Sequence, residues 1–448
     1  MELGELRTLV ESGEIDTVVV GLTDMQGRLQ GKRCQATHFL DELVEHPTEA
    51  CNYLLAVDVE MNTVGGYTMS SWEQGYGDFV LAHDLSTLRR LPWEPGAVLV
   101  LCDIEWLDGR PVAASPRQVL RRQIERLAEH GLVALAGTEL EFIVFDTSYD
   151  EAAGRRYTGL RPATRYNVDY ALGGTSKANH LLRRIRNEMA AAGMVVESAK
   201  GECNLGQFEI AFRFADAMTT ADNHVVYKAG AKEIAAQEGM SLTFMAKYDE
   251  REGSSCHVHL SVRDGETGAA VMAGEATSGL SLLGERFLAG QHATLRELSL
   301  LFAPNINSYK RFQPGSFAPT AVAWGRDNRT CALRLVGHGP SLRVENRVPG
   351  GDANPYLALA AVIAGGLHGL EHRPSLPDEF AGNAYASGGD TVPTTLREAA
   401  DLFDRSEVAR EAFGDDVVDH YVNAARVELA AFDAAVTDWE RVRSFERM

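Results

Sequence analysis

The chain has 448 residues, too many for one small core and enough for a large domain with a smaller one beside it. Its 63 acidic and 43 basic residues leave a formal charge of -20, which disfavours nucleic acid and anionic membranes as partners because both select basic surface. The six cysteines (Cys34, Cys51, Cys102, Cys203, Cys256 and Cys331) form no CxxC pair, which argues against a zinc ribbon or a disulfide framework. Together with an acidic N-terminus that lacks an apolar signal core, they predict a cytoplasmic protein.

In chain order, residues 17–20 read as a strand, and DMQGRLQGKR reads as a hairpin containing Gly27 and Gly31. Residues 47–83, rich in Gly, Ser, Tyr and Met, read as irregular, and 97–102 as an apolar strand. Ser115 and Pro116 then supply an N-cap and first helical position for a helix over 117–130, with Val119, Leu120, Ile124 and Leu127 at helical spacing. This change of texture predicts a boundary near residue 108, between an N-terminal domain (1–108) and a catalytic domain (109–448). Further strands are predicted at 132–146, 206–214, 242–246, 256–262, 331–335 and 342–348, and helices near 176–192, 218–238, 278–296 and 353–371. The apolar run 356–370 is shorter than the ~20 residues of a membrane span and contains His368, so it reads as a buried helix. From about 394 onward the tail is helical and charged.

Four strands carry their polar residues on one face. In TELEFIVF, Glu139 and Glu141 oppose Leu140, Phe142 and Val144; in GQFEIAF, Gln207 and Glu209 oppose Phe208 and Ile210. In CHVHLSV, His257, His259 and Ser261 oppose Val258, Leu260 and Val262; in LRVENRV, Arg343, Glu345 and Arg347 oppose Leu342, Val344 and Val348. One such strand is an ordinary solvated sheet face. Four of them, holding Glu, His and Arg without Lys or Thr filler, ask for another reason. Glu139 and Glu141 would repel each other, and a divalent cation between them removes that cost. A neighbouring His suits Mg²⁺ or Mn²⁺, and arginines nearby are anion clamps. Carboxylate-held metals beside arginines are how phosphoryl transfer from a nucleotide is organised. GxxxxGK[ST] and a strand-linked GxGxxG are both absent from the sequence, so it is neither a P-loop nor a Rossmann enzyme.

The segments GTELEF, GECNLGQFE, GSSCHVHLS, NSYKRFQPG, NRTCALR, RVENRVPGGDANPYLA and WERVRSFE, in that order, resemble the glutamine synthetase family over essentially the whole chain. The resemblance implies an α+β fold: a small β-grasp-like N-terminal domain, then a large catalytic domain whose curved antiparallel sheet forms a funnel flanked by helices. It implies ATP as co-substrate, two or more Mg²⁺ (or Mn²⁺) ions per site, and a homo-oligomer of two stacked hexameric rings with each site between neighbours. Carried over by position, Glu141, Glu202 and Glu209 would hold the metal beside glutamate, and Glu139, His257 and Glu345 the one against the ATP phosphates. Arg311, Arg329 and Arg347 would act on the glutamate carboxylate and the transferred phosphoryl group, with Glu252 and Gly253 in the glutamate-binding loop. Arg329, Arg334 and Arg343 would face the nucleotide phosphates, and Glu197, His259 and Ser261 the rest of the nucleotide.

The sequence departs from the ammonia-using pattern on one side only. Phe317 stands where those relatives keep a glutamate that takes a proton from ammonium; Glu252 stands at an asparagine position; and neither Asp58 nor Glu60 aligns clearly with the aspartate of the ammonium site. Pro374 occupies the place of the adenylylated tyrosine. An aromatic ring cannot accept a proton. The expected reaction therefore joins a primary amine (a polyamine, ethanolamine or another) to the γ-carboxylate of glutamate through a γ-glutamyl phosphate. The alternatives are an ammonia-using glutamine synthetase with its base elsewhere and, more remotely, an inactive structural or regulatory relative, although no metal-ligand position is missing.

Overall fold

Asp24 closes the first hairpin: its carboxylate accepts hydrogen bonds from the backbone N–H groups of Gln26 and Arg28, and Gly27 takes the left-handed turn position. In this computed structural model, which describes residues 1–276 and 278–448, strand β1 (Thr17–Thr23) pairs antiparallel with β2 (Leu29–Gln35). Gly31 lies inside β2 rather than in the turn; a Cβ there would come 1.9 Å from the Val20 carbonyl oxygen. With β3 (Glu49–Cys51), β4 (Asp78–Arg90) and β5 (Ala97–Glu105) these strands form a five-stranded sheet of order β2-β1-β5-β4-β3, in which only β1 and β5 are parallel.

Helix α1 (Leu3–Glu11) covers one face of that sheet, seating Leu6 in a small core with Val18, Val20, Val98 and Val100. The other face of β5, Leu99 and Leu101, joins the main core. The segment expected to be irregular thus contains β3 and the start of β4. The thirteen-residue β4 is hidden in the sequence because its register shifts between Asp84 and Arg89, which interrupts any period-2 pattern.

The second sheet has nine strands: β6 (Leu132–Phe145), β7 (Val196–Gly201), β8 (Gln207–Phe212), β9 (Ala215–Asp216), β10 (Ser241–Thr243), β11 (Cys256–Asp264), β12 (Trp324–Arg326), β13 (Leu333–Val336) and β14 (Arg343–Asn346). Its path runs β12-β13-β14-β11-β6-β8-β7, curved and antiparallel except between β12 and β13. The long strand β6 is its spine, with β11 and β10 along one edge and β8 and β9 along the other. Leu140, Phe142, Val144, Phe208, Ile210, Val258, Leu260 and Val344 face the main core. There they meet helices α2 (Pro116–Glu129), α3 (Asn179–Ala191), α4 (Ala217–Gln237), α5 (Leu282–Thr294) and α6 (Pro355–His372). The run 356–370 is indeed a buried helix, and among the described residues no helix is long and apolar enough to cross a membrane. The edge strand β7, mostly polar, gives no hydrophobic alternation and escaped the sequence reading.

A buried ion cluster joins the first sheet to helices of the main core. Arg117 of α2 reaches Asp84 of β4 (2.6 Å), Asp103 of β5 (2.7 Å) and Asp222 of α4 (3.0 Å), and the Tyr356 hydroxyl donates to Asp222. Taking Arg117 out of this cluster leaves buried aspartates uncompensated, at a cost of about 3–5 kcal/mol. The hairpin also docks directly: Asn354 donates its side-chain amide to the carbonyls of Asp24 and Met25. The C-terminal layer contains helices α7 (Leu396–Arg405), α8 (Glu407–Phe413) and α9 (Asp415–Ala434).

Candidate active site

Strand register assembles the charged faces into one row. Across the sheet, Lys200 pairs with Glu209 and Glu209 with Glu141; Glu139 pairs with His257; His259 pairs with Glu345 and Glu345 with Arg334. Directly opposite side chains on one face lie close enough to interact, so the alternation in sequence becomes a charge cluster in space. With Glu202, just past the end of β7, two triads form, Glu141–Glu202–Glu209 and Glu139–His257–Glu345, and in each the candidate ligand atoms lie within 4.8 Å of one another.

The electrostatics of the first triad are those of anions lacking a counter-ion. Burial and then the charge of Glu202 push the Glu141 carboxyl up to about 8; burial and Glu139 push Glu209 well above its ordinary range; burial raises Glu202 despite its ion pair with Lys200. The second triad is poised differently. Burial would raise Glu139, but His257 and His259 outweigh it and hold Glu139 ionised. Burial and Arg347 push His257 down to about 4, so its imidazole is neutral at pH 7, the form that binds metals. The buried Nε2 of His257 has no hydrogen-bond partner. Three crowded carboxylates, and a neutral imidazole whose Nδ1 lies 3.3 Å from Glu139 and 3.4 Å from Glu345, fit hard divalent cations, with the nitrogen better suited to Mn²⁺ than to Mg²⁺ or Ca²⁺.

Behind the triads the arginines act as braces. Glu345, completely buried, is held by Arg334 (2.9 Å) and by Arg347, whose other nitrogen donates to the Phe317 carbonyl (3.3 Å). Arg311 is also buried and donates to the carbonyls of Val348 (2.9 Å) and Arg347 (3.2 Å). Its stem lies against Gly253, where a Cβ would come 2.3 Å from Arg311 Cγ. Here Arg311 supports the wall rather than lining the cavity, while Arg329 and Arg347 line it.

Two cavities flank the triads. One, of about 440 Å³, brings together Glu197, His259, Ser261 and Arg343 with Phe212, Phe214 and the backbone of Gly137; Arg343 Nε lies 3.1 Å from His259 Nδ1. Arg334 stands apart from it, paired with Glu345 and Asp327. The other, of about 270 Å³, is lined by Glu139, Glu141, Glu202, Glu209 and His257, with Glu345 of the second triad buried behind them, together with Glu252, Gly253, Phe317, Arg329 and Arg347. Asp58 is instead spent inside its own loop, accepting from Glu60 N, Asn62 N and the Asn62 amide.

The second cavity also has residues the sequence reading missed: Asp169, Tyr170, Lys200 and Cys203. Lys200 was legible as the one cation two residues from Glu202; the loop residues Asp169 and Tyr170 follow no period and were not. Tyr170 (φ 53°) and Phe317 (φ 58°) are both held in the left-handed region and are 70% and 55% exposed. Non-glycine residues at positive φ carry strain, which structures keep chiefly where it serves a site. Asp169 lies against the first triad and makes no salt bridge among the described residues.

Residues 113–444 match the family described as "Glutamine synthetase, catalytic domain". The chain is 65% identical to a gamma-glutamylethanolamide synthetase of Streptomyces coelicolor over 99% of its own length and 96% of the relative's. It is 38% identical to a glutamate–isopropylamine ligase of a Pseudomonas species (98% and 97% covered), and 33% identical to a gamma-glutamylputrescine synthetase of Escherichia coli (94% and 90% covered). Among solved structures, GmaS in complex with ADP superposes with a TM-score of 0.87 at 26% identity, covering 98% of this chain and 99% of the other.

Proposed function

The chain belongs to the glutamine synthetase family, and from that premise we propose that it is an ATP-dependent glutamate–amine ligase whose amine is ethanolamine or a similarly short primary amine. The observation that carries the amine is Phe317: an exposed ring, itself unable to accept a proton, held in a strained conformation in the wall of the cavity that holds the carboxylates. The relative with 65% identity, named for ethanolamine, supports the same choice.

A γ-carboxylate is a poor electrophile, and transfer of a phosphoryl group from ATP makes it an acyl phosphate that an amine can open with loss of phosphate. In this reading Glu197, His259, Ser261 and Arg343 hold the nucleotide. Arg329 and Arg347 face the anionic groups that meet in the second cavity, and Arg334 and Arg311 keep Glu345, Arg347 and the Gly253 loop in place. Glu141, Glu202 and Glu209 would hold one divalent ion, Glu139, His257 and Glu345 another, with Mg²⁺ or Mn²⁺ the natural occupants. Bound there, such ions supply positive charge that offsets the transferring phosphoryl group. Phe317 presents a ring face to an alkylammonium, while the Tyr170 ring already carries the Lys200 ammonium, and Asp169 offers a carboxylate that makes no salt bridge among the described residues. We further propose a cytoplasmic homo-oligomer, a dodecamer of two stacked hexameric rings, with domains 1–108 and 109–448.

The ammonia-using alternative keeps one observation in its favour, since the Asp169 and Glu252 carboxylates reach the same cavity. Phosphate release from ATP, glutamate and Mg²⁺ with ammonium, methylamine, ethanolamine, putrescine or spermidine separates the two. The proposal expects the fastest release with a primary amine; equal or faster turnover with ammonium contradicts it, and no release with any amine contradicts ligase activity altogether.

A further inference from the structure

At the far end of the buried helix α6, about 25 Å from its N-terminus by the rise of 1.5 Å per residue, lies a second kind of donor set. His368 and His372, four residues apart, share one helix face, and their rings lie nearly parallel with centroids 4.5 Å apart. Glu411 of α8 comes against them, its carboxylate 3.2 Å from His372 Nε2. One ligand atom from each of the three residues lies within 4.8 Å of the others.

An ordinary surface ion pair explains part of this. His372 in the last turn suits the negative end of the helix dipole and pairs with Glu411. It does not explain His368. The buried Nδ1 of that ring has no hydrogen-bond partner, and a polar nitrogen withdrawn from water without one is costly. The stacked His372 ring gives it no relief, since its Nε2 is turned to Glu411. Glu371, the next residue but two after His368, is already engaged by Arg126 (3.0 Å) and His130 (3.1 Å) and is not free to serve it.

We propose that His368, His372 and Glu411 form a binding site for a borderline transition-metal cation of the Zn²⁺ class. Two imidazole nitrogens and one carboxylate oxygen are a three-ligand set that leaves a fourth position for water. That set differs in kind from the oxygen-rich triads of the active site, so the two places select different ions. The cation would clasp α6 to α8 and thereby tie the C-terminal helical layer to the main core. None of the three residues touches the cavities of the active site.

The test uses the full chain in excess Mg²⁺, which occupies the carboxylate triads, titrated with Zn²⁺ by calorimetry and with Co²⁺ by visible absorption. The site predicts one tight Zn²⁺ per chain, a Co²⁺ spectrum of low coordination number, and a rise in melting temperature on adding Zn²⁺. In His372→Ala this equivalent and the melting shift disappear, Glu411→Gln weakens binding about tenfold or more, and Mg²⁺-supported ligase turnover without Zn²⁺ is unchanged in both. Both side chains are about half exposed, so the variants should fold. Equal Zn²⁺ stoichiometry and affinity in wild type and His372→Ala, or Zn²⁺ that Mg²⁺ competes away, would overturn the site.

Discussion

The floor and the rim of the glutamate-side cavity are built in opposite ways. The floor is a row of cross-strand partners, buried, braced by Arg334 and Arg347, and fixed by the register of β6, β8, β11 and β14. The rim is loop: exposed Tyr170 and Phe317 at positive φ, and Asp169 without a cation. A rigid floor suits a step that every substrate shares, the transfer of a phosphoryl group. A strained, exposed rim suits the part that differs between relatives, the choice of amine. Substitutions at the floor should therefore stop the reaction, and substitutions at the rim should redirect it.

The largest expected effect is at Glu141. Glu141→Gln should lower amine-dependent phosphate release about 10³-fold or more, equivalent to ~4 kcal/mol in the barrier, with every amine affected alike. Steady-state kinetics within tenfold of wild type would mean that the floor is not the phosphoryl-transfer site.

Next comes pH. The folded-state value of Glu141, about 8, lies above its ordinary 4.5, so its contribution to stability is fully present below 4.5 and is lost as pH rises through about 8. Glu209 shifts in the same direction. Metal-free protein should thus lose melting temperature between pH 5 and 8 more steeply than Glu209→Gln does, and added Mg²⁺ should flatten the wild-type slope. Parallel slopes in the two proteins would contradict the crowded-anion account.

Legibility follows the same division. Glu139, Glu141, Glu209, His257 and Glu345 could be read from the sequence because a strand with one apolar face must present its other residues together, and register did the rest. The fold was legible wherever period held, and failed where it did not: β4 is bulged, β7 is a polar edge, and both went unread. Arg311 is expected from the family pattern to grip substrate anions, and only packing reveals that it points at backbone carbonyls. Asp169 and Tyr170 lie in a loop that no period marks, and Phe317 stood out only as a departure from a family pattern.

At the rim the effects are smaller and selective. Phe317→Gly relieves a left-handed backbone position and should raise stability by up to about 1 kcal/mol, while raising KM for the amine and leaving KM for glutamate and ATP near wild type. A loss of stability, or a uniform loss of kcat, would place Phe317 in the structural frame instead. Smallest is Asp169→Asn, expected to raise the amine KM several-fold, as removal of one partly exposed charge–charge contact worth about 1 kcal/mol would do. An unchanged amine KM would remove Asp169 from the amine's path.

The central claim is that this cavity chooses an amine over ammonia, and a competition measures it most directly. Wild-type enzyme is given ATP, glutamate and Mg²⁺ with ethanolamine and ammonium at equal concentration, and the products are counted by mass spectrometry. The account predicts γ-glutamylethanolamide in excess over glutamine, with the ratio falling toward glutamine in Phe317→Glu. Glutamine as the main product of the wild-type enzyme would contradict it.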